Sequence, residues 1–279
     1  MGRFTIPARA VLLGFVGAGF SVLLQHNLLA DVYQGQEDSS LFGHVDQRSN
    51  GINNGNLACG PTSVYNSFVY LKSKGVDLTG ASAADTINTL ETDMNFDPSK
   101  GGVVNDVDLV NGKTKYINDQ GKSGQVVVES LINDPNPIPA NDAAKFIADQ
   151  LGKGQDVEIA WFWSNKDGTK LRSGHWVTVT GIDYDTAGNG AINIIDPFGG
   201  VEISGNLYVG TAGGGNGGLI IGYTGGGAGN PADPDNPDDA GFGYITAVAA
   251  ESVVPEPAYA GLAIFFALGI RRQARTRLT

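Results

Sequence analysis

The sequence of 279 residues predicts an α+β domain in which N-terminal helices pack on a C-terminal antiparallel β-sheet. Between residues 59 and 151, apolar residues recur at helical spacing. After residue 156, short apolar runs are separated by Gly, Asn and Asp, a pattern typical of hairpins. No internal repeat is visible, so we predict one domain over residues 31–250, with a core at about 40–224.

Four helices are predicted in the first half of the chain. Pro61 favours the start of the first helix and Gly75 its end. Two more helices are predicted at 82–94 and 105–119 from their apolar spacing. The fourth follows Asn141, a residue type that commonly caps helix N-termini.

The strands are predicted mainly in the second half, after one strand at 125–130 and an extended lead-in at 31–56. The hairpin strands are predicted at 156–163, 171–183, 190–199, 201–210 and 218–224. Residues 225–243 are rich in Gly, Pro and Asp and predict a linker or loop. Residues 244–254 fit either a last strand or a spacer before the C-terminal tail.

The N-terminus predicts a signal peptide over residues 1–30. Arg3 and Arg9 precede an apolar run from Ala10 to Leu24, and Ala30 is a candidate cleavage point. The alternative is an uncleaved anchor, but the run of 15 residues is shorter than the roughly 20 that span a bilayer.

The C-terminus, residues 251–279, has three consecutive parts. A Val-Pro-Glu-Pro tetrapeptide at 254–257 is followed by the apolar segment 258–270 and by four arginines. This order resembles the PEP-CTERM sorting signal. The resemblance implies transient membrane anchoring by this segment and processing by an exosortase. The mature protein would then reach the extracellular matrix or cell surface of a Gram-negative bacterium. A plain C-terminal anchor is the alternative.

Charge argues against nucleic acid as a partner. Residues 1–30 and 258–279 together hold six of the 18 basic residues and none of the 29 acidic ones, so residues 31–257 carry a net charge of −17. Such a surface repels anionic polymers and favours neutral or cationic partners. The simpler interpretation is that the charge keeps an exported protein soluble.

Cys59 is the single cysteine of the chain, which excludes a disulfide within the chain and a multi-thiolate zinc site. In an exported protein, one unpaired thiol is either an intermolecular partner or a reactive group. Cys59 stands where the first helix begins, a position that favours the thiolate. Its small neighbours Ala58 and Gly60 would allow close approach of a substrate.

A catalytic thiol needs a base, and the base needs an orienting group. Of the three histidines, His26 lies in the signal peptide and His44 in the lead-in, whereas His175 begins an apolar strand. A symmetric hairpin of 175–183 with 190–197 places His175 opposite Asp196, at a β-carbon separation of about 4.5–5.5 Å. His175 and Asp196 are therefore the candidate base and orienter.

These residues carry a family resemblance. The block Cys59–Gly–Pro–Thr–Ser63, then Gly174–His175, Gly181 and Asp196–Pro197, is similar to papain-like peptidases related to bacteriocin leader-processing enzymes. The resemblance implies a papain-like cysteine peptidase fold, with Cys59 as nucleophile, His175 as base and Asp196 as orienter. It implies cleavage of amide bonds in a peptide or protein through an acyl-enzyme, with no metal or organic cofactor.

The family usually places a Gln a few residues before the Cys, where its side chain completes an oxyanion hole. Here Asn53 stands six residues before Cys59 and Gln47 stands twelve before it. We predict Gln47 as the donor and keep Asn53 as the alternative. Loss of one such donor costs about 2.7–4 kcal/mol of transition-state stabilisation.

Other interpretations of the chain stay open. It could be a non-catalytic matrix or surface protein that keeps the peptidase fold, or a transamidase that crosslinks matrix proteins. The cysteine could then be a small buried residue, and Asp196 could cap a turn. The acidic stretch 233–239 is interpreted as linker rather than a calcium site, and Trp161 and Trp163 as core rather than a sugar-binding platform.

Overall fold

The computed structural model describes residues 31–164, 171–210, 217–222 and 242–254. The predicted signal peptide, the acidic stretch 233–239 and the tail from residue 255 lie outside the described residues. Within the described part, none of the helices has both the length and the apolar composition needed to cross a membrane.

In the described residues, four α-helices lie where apolar spacing predicts them. They are α1 (Cys59–Ser73), α2 (Ala83–Asp93), α3 (Asp106–Asp119) and α4 (Ala140–Gly152). The side chains of Ser82 and Asn105 cap α2 and α3 by accepting hydrogen bonds from backbone N–H groups in the first turn. The prediction that Asn141 caps α4 is wrong. Pro139 precedes the helix, and Asn141 is an exposed residue of its first turn.

Eight antiparallel strands form the sheet in the part of the chain that the structure describes. They are β1 (Val32–Gln36), β2 (Val126–Ile132), β3 (Asp156–Ser164), β4 (Leu171–Asp185), β5 (Asn189–Asp196), β6 (Val201–Val209), β7 (Leu219–Gly222) and β8 (Phe242–Val253). The predicted mixture of helices with an antiparallel sheet is therefore confirmed. β1 lies inside the predicted lead-in. Of the residues 244–254, all but the last belong to β8, so this segment is a strand rather than a spacer.

The strands β3 to β8 close into a ring. Each pairs with the next along the chain, and β8 pairs back with β3. β1 extends the sheet beside β4, and β2 extends it beside β8. β8 thus has β3 on one edge, and β7 and β2 on the other, and it continues to Val253.

Two apolar clusters fill the two sides of the ring. Side chains from one face, including Trp161 and Trp163, pack with α4. The opposite face of β3, β4, β5 and β8 packs against α1, α2 and α3. Trp161 and Trp163 are 0% and 3% exposed, which confirms that they belong to the core. The N-terminus of α1 therefore faces the strands that carry His175 and Asp196.

Candidate active site

Cys59 is the first residue of α1, and its thiol is half-buried. The first turn of α1 contains no acidic residue, so the partial positive charge of the helix N-terminus acts on the thiol without local compensation. The helix is fixed against the sheet because the Thr178 hydroxyl donates to the Ser63 carbonyl at 2.9 Å. This contact sets the start of α1 beside β4.

The small neighbours of Cys59 are packed closely in the structure. Ala58 and Gly60 are both buried. A β-carbon on Gly60 would lie 3.0 Å from Leu109 Cδ1 and 3.1 Å from Val103 Cγ2. Glycine therefore lets the start of α1 pack closely on α3 and the segment before it, whereas a β-carbon here would require Leu109 and Val103 to shift by a few tenths of an ångström.

His175 and Asp196 are hydrogen-bonded to each other beneath the surface. His175 Nε2 lies 2.9 Å from Asp196 Oδ1, and the two residues are 6% and 1% exposed. Asp196 ends β5, and the same oxygen accepts the Phe198 N–H at 2.8 Å. Asp196 Oδ1 thus contacts both the imidazole and the Phe198 N–H, and these two contacts fix the carboxylate so that it orients the imidazole.

The predicted strand register that led to this pair is wrong. His175 lies opposite Trp161 of β3, and the ladder between β4 and β5 begins at Thr178 opposite Ile195. The turn between these strands lies later in the chain than a symmetric hairpin places it, with Gly188 at a φ of +97°. The hydrogen bond between His175 and Asp196 is consequently a diagonal contact past the end of the ladder.

Cys59 and His175 interact directly and shift each other's titration. Burial raises the pKa of the Cys59 thiol, but the hydrogen bond and charge of His175, with the Trp176 and Gly60 N–H groups, lower it overall. Burial lowers the pKa of His175, but its hydrogen bonds to Asp196 and Cys59 raise it to about 10. Both shifts favour a thiolate–imidazolium pair at neutral pH. Because Nε2 bonds Asp196, Nδ1 is the ring nitrogen left for the thiol.

Two tryptophans of β3 pack against the imidazole of His175. The ring centroids of Trp161 and His175 are 5.2 Å apart at an interplanar angle of 72°, and Trp163 stacks at 6.0 Å and 20°. Aromatic neighbours at these distances restrict the orientation of the imidazole and exclude water. The core role of the tryptophans was predicted, whereas their contact with His175 was not.

The two oxyanion candidates lie in different surroundings. Gln47 is buried, its N–H donates to the Pro197 carbonyl at 2.7 Å, and Nε2 donates to the Gly55 carbonyl at 2.7 Å. It therefore lies between the turn after Asp196 and the loop that leads to Cys59. Asn53 is exposed, and its N–H donates to the side chain of Asn88 on α2. Of these two residues, only Gln47 contacts the turn that follows Asp196.

Arg48 and Phe198 lie next to this site and were missed by sequence reasoning. The guanidinium carbon of Arg48 is 3.8 Å from the centroid of the Phe198 ring, and Arg48 also pairs with Asp46. Phe198 follows Asp196 by two residues, which is the only sequence signal for its position. His44 is a structural residue whose ring nitrogens lie 3.2 Å from the Gly200 carbonyl and 3.1 Å from the Ser39 carbonyl.

The site therefore consists of a half-buried thiol at a helix N-terminus, an imidazole on a strand and a buried carboxylate behind it. This is the set of groups that nucleophilic catalysis by a cysteine requires. No family model and no curated protein matches the chain.

Proposed function

We propose that the chain is a papain-like cysteine peptidase of the group related to bacteriocin leader-processing enzymes. The observation that carries the proposal is the buried 2.9 Å bond between His175 and Asp196, with the imidazole directed at the Cys59 thiol. Three helices packed on one face of the antiparallel sheet, with the thiol on a helix and the base on a strand, also support the papain-like fold.

The proposed reaction begins from the ion pair. The Cys59 thiolate attacks the carbonyl carbon of a peptide bond, and the carbonyl oxygen becomes an oxyanion. The N–H of Cys59 has no partner within α1 because it lies in the first turn. In the proposed mechanism, this N–H and the Gln47 amide together stabilise the developing charge. Gln47 is already fixed by Gly55, and one of its two amide hydrogens remains for the oxyanion.

The imidazolium of His175 then gives its proton to the leaving amine, and an acyl-enzyme remains on Cys59. Water attacks this thioester while the neutral imidazole accepts its proton. The thioester bond breaks, the carboxylic acid product leaves, and the thiolate–imidazolium pair is restored. Asp196 holds the ring orientation through both steps, because its carboxylate bonds the ring nitrogen that does not face the thiol.

We further propose that the protein is exported, with its C-terminal segment anchored in the membrane until an exosortase removes it. The basic and apolar N-terminus and the Val-Pro-Glu-Pro, apolar and arginine order of the C-terminus support this route. Location of the tagged protein in membrane, surface and medium fractions tests it. Retention in the cytoplasm would contradict the proposal.

Digestion of a denatured protein mixture, with new N-termini identified by mass spectrometry, tests the peptidase activity. We expect cleavage by the wild type and none by Cys59→Ser.

Gln47→Ala should lower kcat/KM by about 10²–10³, from the loss of one oxyanion donor, without slowing alkylation of the thiol. Asn53→Ala is the matched control and should retain full activity. Activity of Gln47→Ala equal to that of the wild type would reject Gln47 as the oxyanion donor. Addition of a primary amine to the digestion separates hydrolysis from transamidation.

A further inference from the structure

Four charged side chains lie buried between the helices and the sheet, apart from the residues of the candidate active site. Lys113 projects from α3, Asp156 and Glu158 from β3, and Glu251 from β8. All four are completely buried, and Asp156 lies directly opposite Glu251 in the ladder of β3 with β8. Charged groups are placed in such surroundings only when other charges or metal ions compensate them.

Lys113 compensates only part of this charge. Its Nζ donates to Glu158 Oε2 at 2.5 Å and to Glu251 Oε1. The other oxygens of the three carboxylates are buried and accept no hydrogen bond from the described residues. They are Asp156 Oδ1, Asp156 Oδ2, Glu158 Oε1 and Glu251 Oε2. Buried polar atoms of this kind call for an ion, a water molecule or a proton.

Charge and ligand chemistry favour a divalent cation as the missing partner. When all three carboxyls are ionised, the one ammonium leaves a charge of −2, and an oxygen from each lies within 4.8 Å of the others. Burial and the mutual repulsion of the carboxylates raise the pKa of Asp156 and of Glu158, so protons compete with a cation for these oxygens. Carboxylate oxygens are the ligands that hard cations such as Ca²⁺ and Mg²⁺ prefer, and no imidazole or thiol belongs to the cluster. The buried hydroxyl of Ser67 on α1 faces Glu158 and adds a neutral oxygen.

We propose that Asp156, Glu158 and Glu251 bind one hard divalent cation through the oxygens that Lys113 leaves free. Such an ion would join β3 to β8 and, through Lys113 and Ser67, would hold α3 and α1 against the sheet. This proposal does not depend on peptidase activity.

Titration of the full chain tests the site directly. The protein is stripped with a chelator, dialysed, and titrated by calorimetry with Ca²⁺ and, separately, with Mg²⁺ at neutral pH. We expect one equivalent of cation to bind and to raise the Tm by several degrees, because a ligand of the folded state stabilises that state. Asp156→Asn should weaken binding about tenfold or more. Asp149→Asn removes an exposed carboxylate that pairs with Lys145 and should leave binding unchanged.

Three results would overturn the proposal. The first is a wild type that binds neither cation and has the same Tm with chelator and with cation. The second is binding that persists in Asp156→Asn, since the acidic surface would then be the ligand. The third is a Tm that falls above neutral pH equally with and without cation, because protons would then neutralise the cluster. If Asp156→Asn does not fold, Glu158→Gln and the metal content of the purified wild type decide between these outcomes.

Discussion

Replacing Asp196 by Asn should lower the pKa of His175 while leaving the shape of the site nearly unchanged. The wild-type bond joins His175 Nε2 to Asp196 Oδ1 at 2.9 Å in buried surroundings. A hydrogen bond to a charged group contributes about 1.5–3 kcal/mol. At about 1.36 kcal/mol per pH unit, the pKa of His175 should fall by about 1–2 units from its value of about 10.

The effect on stability has a defined sign. The pKa of His175 is raised in the folded protein, so its contribution is fully present below the ordinary value of 6.5 and is lost as the pH rises through about 10. The stability lost in Asp196→Asn should therefore be largest at neutral and lower pH and should shrink as the pH approaches 10.

NMR titration of the histidine ring signals measures the pKa change, and denaturant unfolding across the same pH range measures the stability. Asp183→Asn is the matched control, because Asp183 is an exposed β4 carboxylate that accepts a hydrogen bond from Gln34. It should leave the pKa of His175 unchanged. An unchanged pKa in Asp196→Asn would refute the inference that this carboxylate supports the imidazolium.

Two further substitutions test the packing that positions the site. Gly60→Ala should destabilise the protein by about 1–3 kcal/mol in denaturant unfolding, because its β-carbon would press on Leu109 and Val103. Gly124→Ala meets no atom within 4 Å and should be neutral, so equal stabilities would contradict this account. Lys113→Met should cost about 3–5 kcal/mol by leaving buried carboxylates unpaired, whereas Lys145→Met at an exposed pair should cost about 0.5 kcal/mol or less. Similar losses of stability in the two lysine variants would show that burial does not determine how much an ion pair contributes to the free energy of unfolding.

Local patterns in the sequence predict local structure well in this protein. The helices and most hairpin strands follow from apolar spacing, because each depends on neighbours a few residues away. The places of β1 and β8 could not be predicted in this way. β1 pairs with residues 181–185 and β8 joins β2, β3 and β7, and no local signal specifies partners so distant along the chain.

For the candidate site, too, the sequence predicts the residue types but not their arrangement in space. Residue chemistry selects Cys59, His175 and Asp196, but the hairpin register depends on the turn at Gly188, which a symmetric arrangement does not anticipate. The path of the loop before Cys59 separates Gln47 from Asn53, and that path is fixed by contacts with Pro197 and α2.

The buried charges of β3 have a signal in the sequence, although the predictions did not include them. Strand alternation in "DVEIAWFW" places Asp156 and Glu158 on the face opposite to Ile159, Trp161 and Trp163. When both faces of a strand are buried, acidic residues on one face require cationic partners. Lys113 meets this requirement from α3, in a contact that spans 45 residues to Glu158.

The rate of Cys59 alkylation as a function of pH tests the central claim most directly. The full chain carries one cysteine, so the rate reports this thiol alone. In the wild type, we expect the thiolate to react well below the free-cysteine pKa of about 8.5, and His175→Ala should abolish this reactivity. His44→Ala is the matched control and should behave as the wild type. Ordinary reactivity of the wild-type thiol, unchanged in His175→Ala, would contradict the thiolate–imidazolium pair and with it the peptidase mechanism.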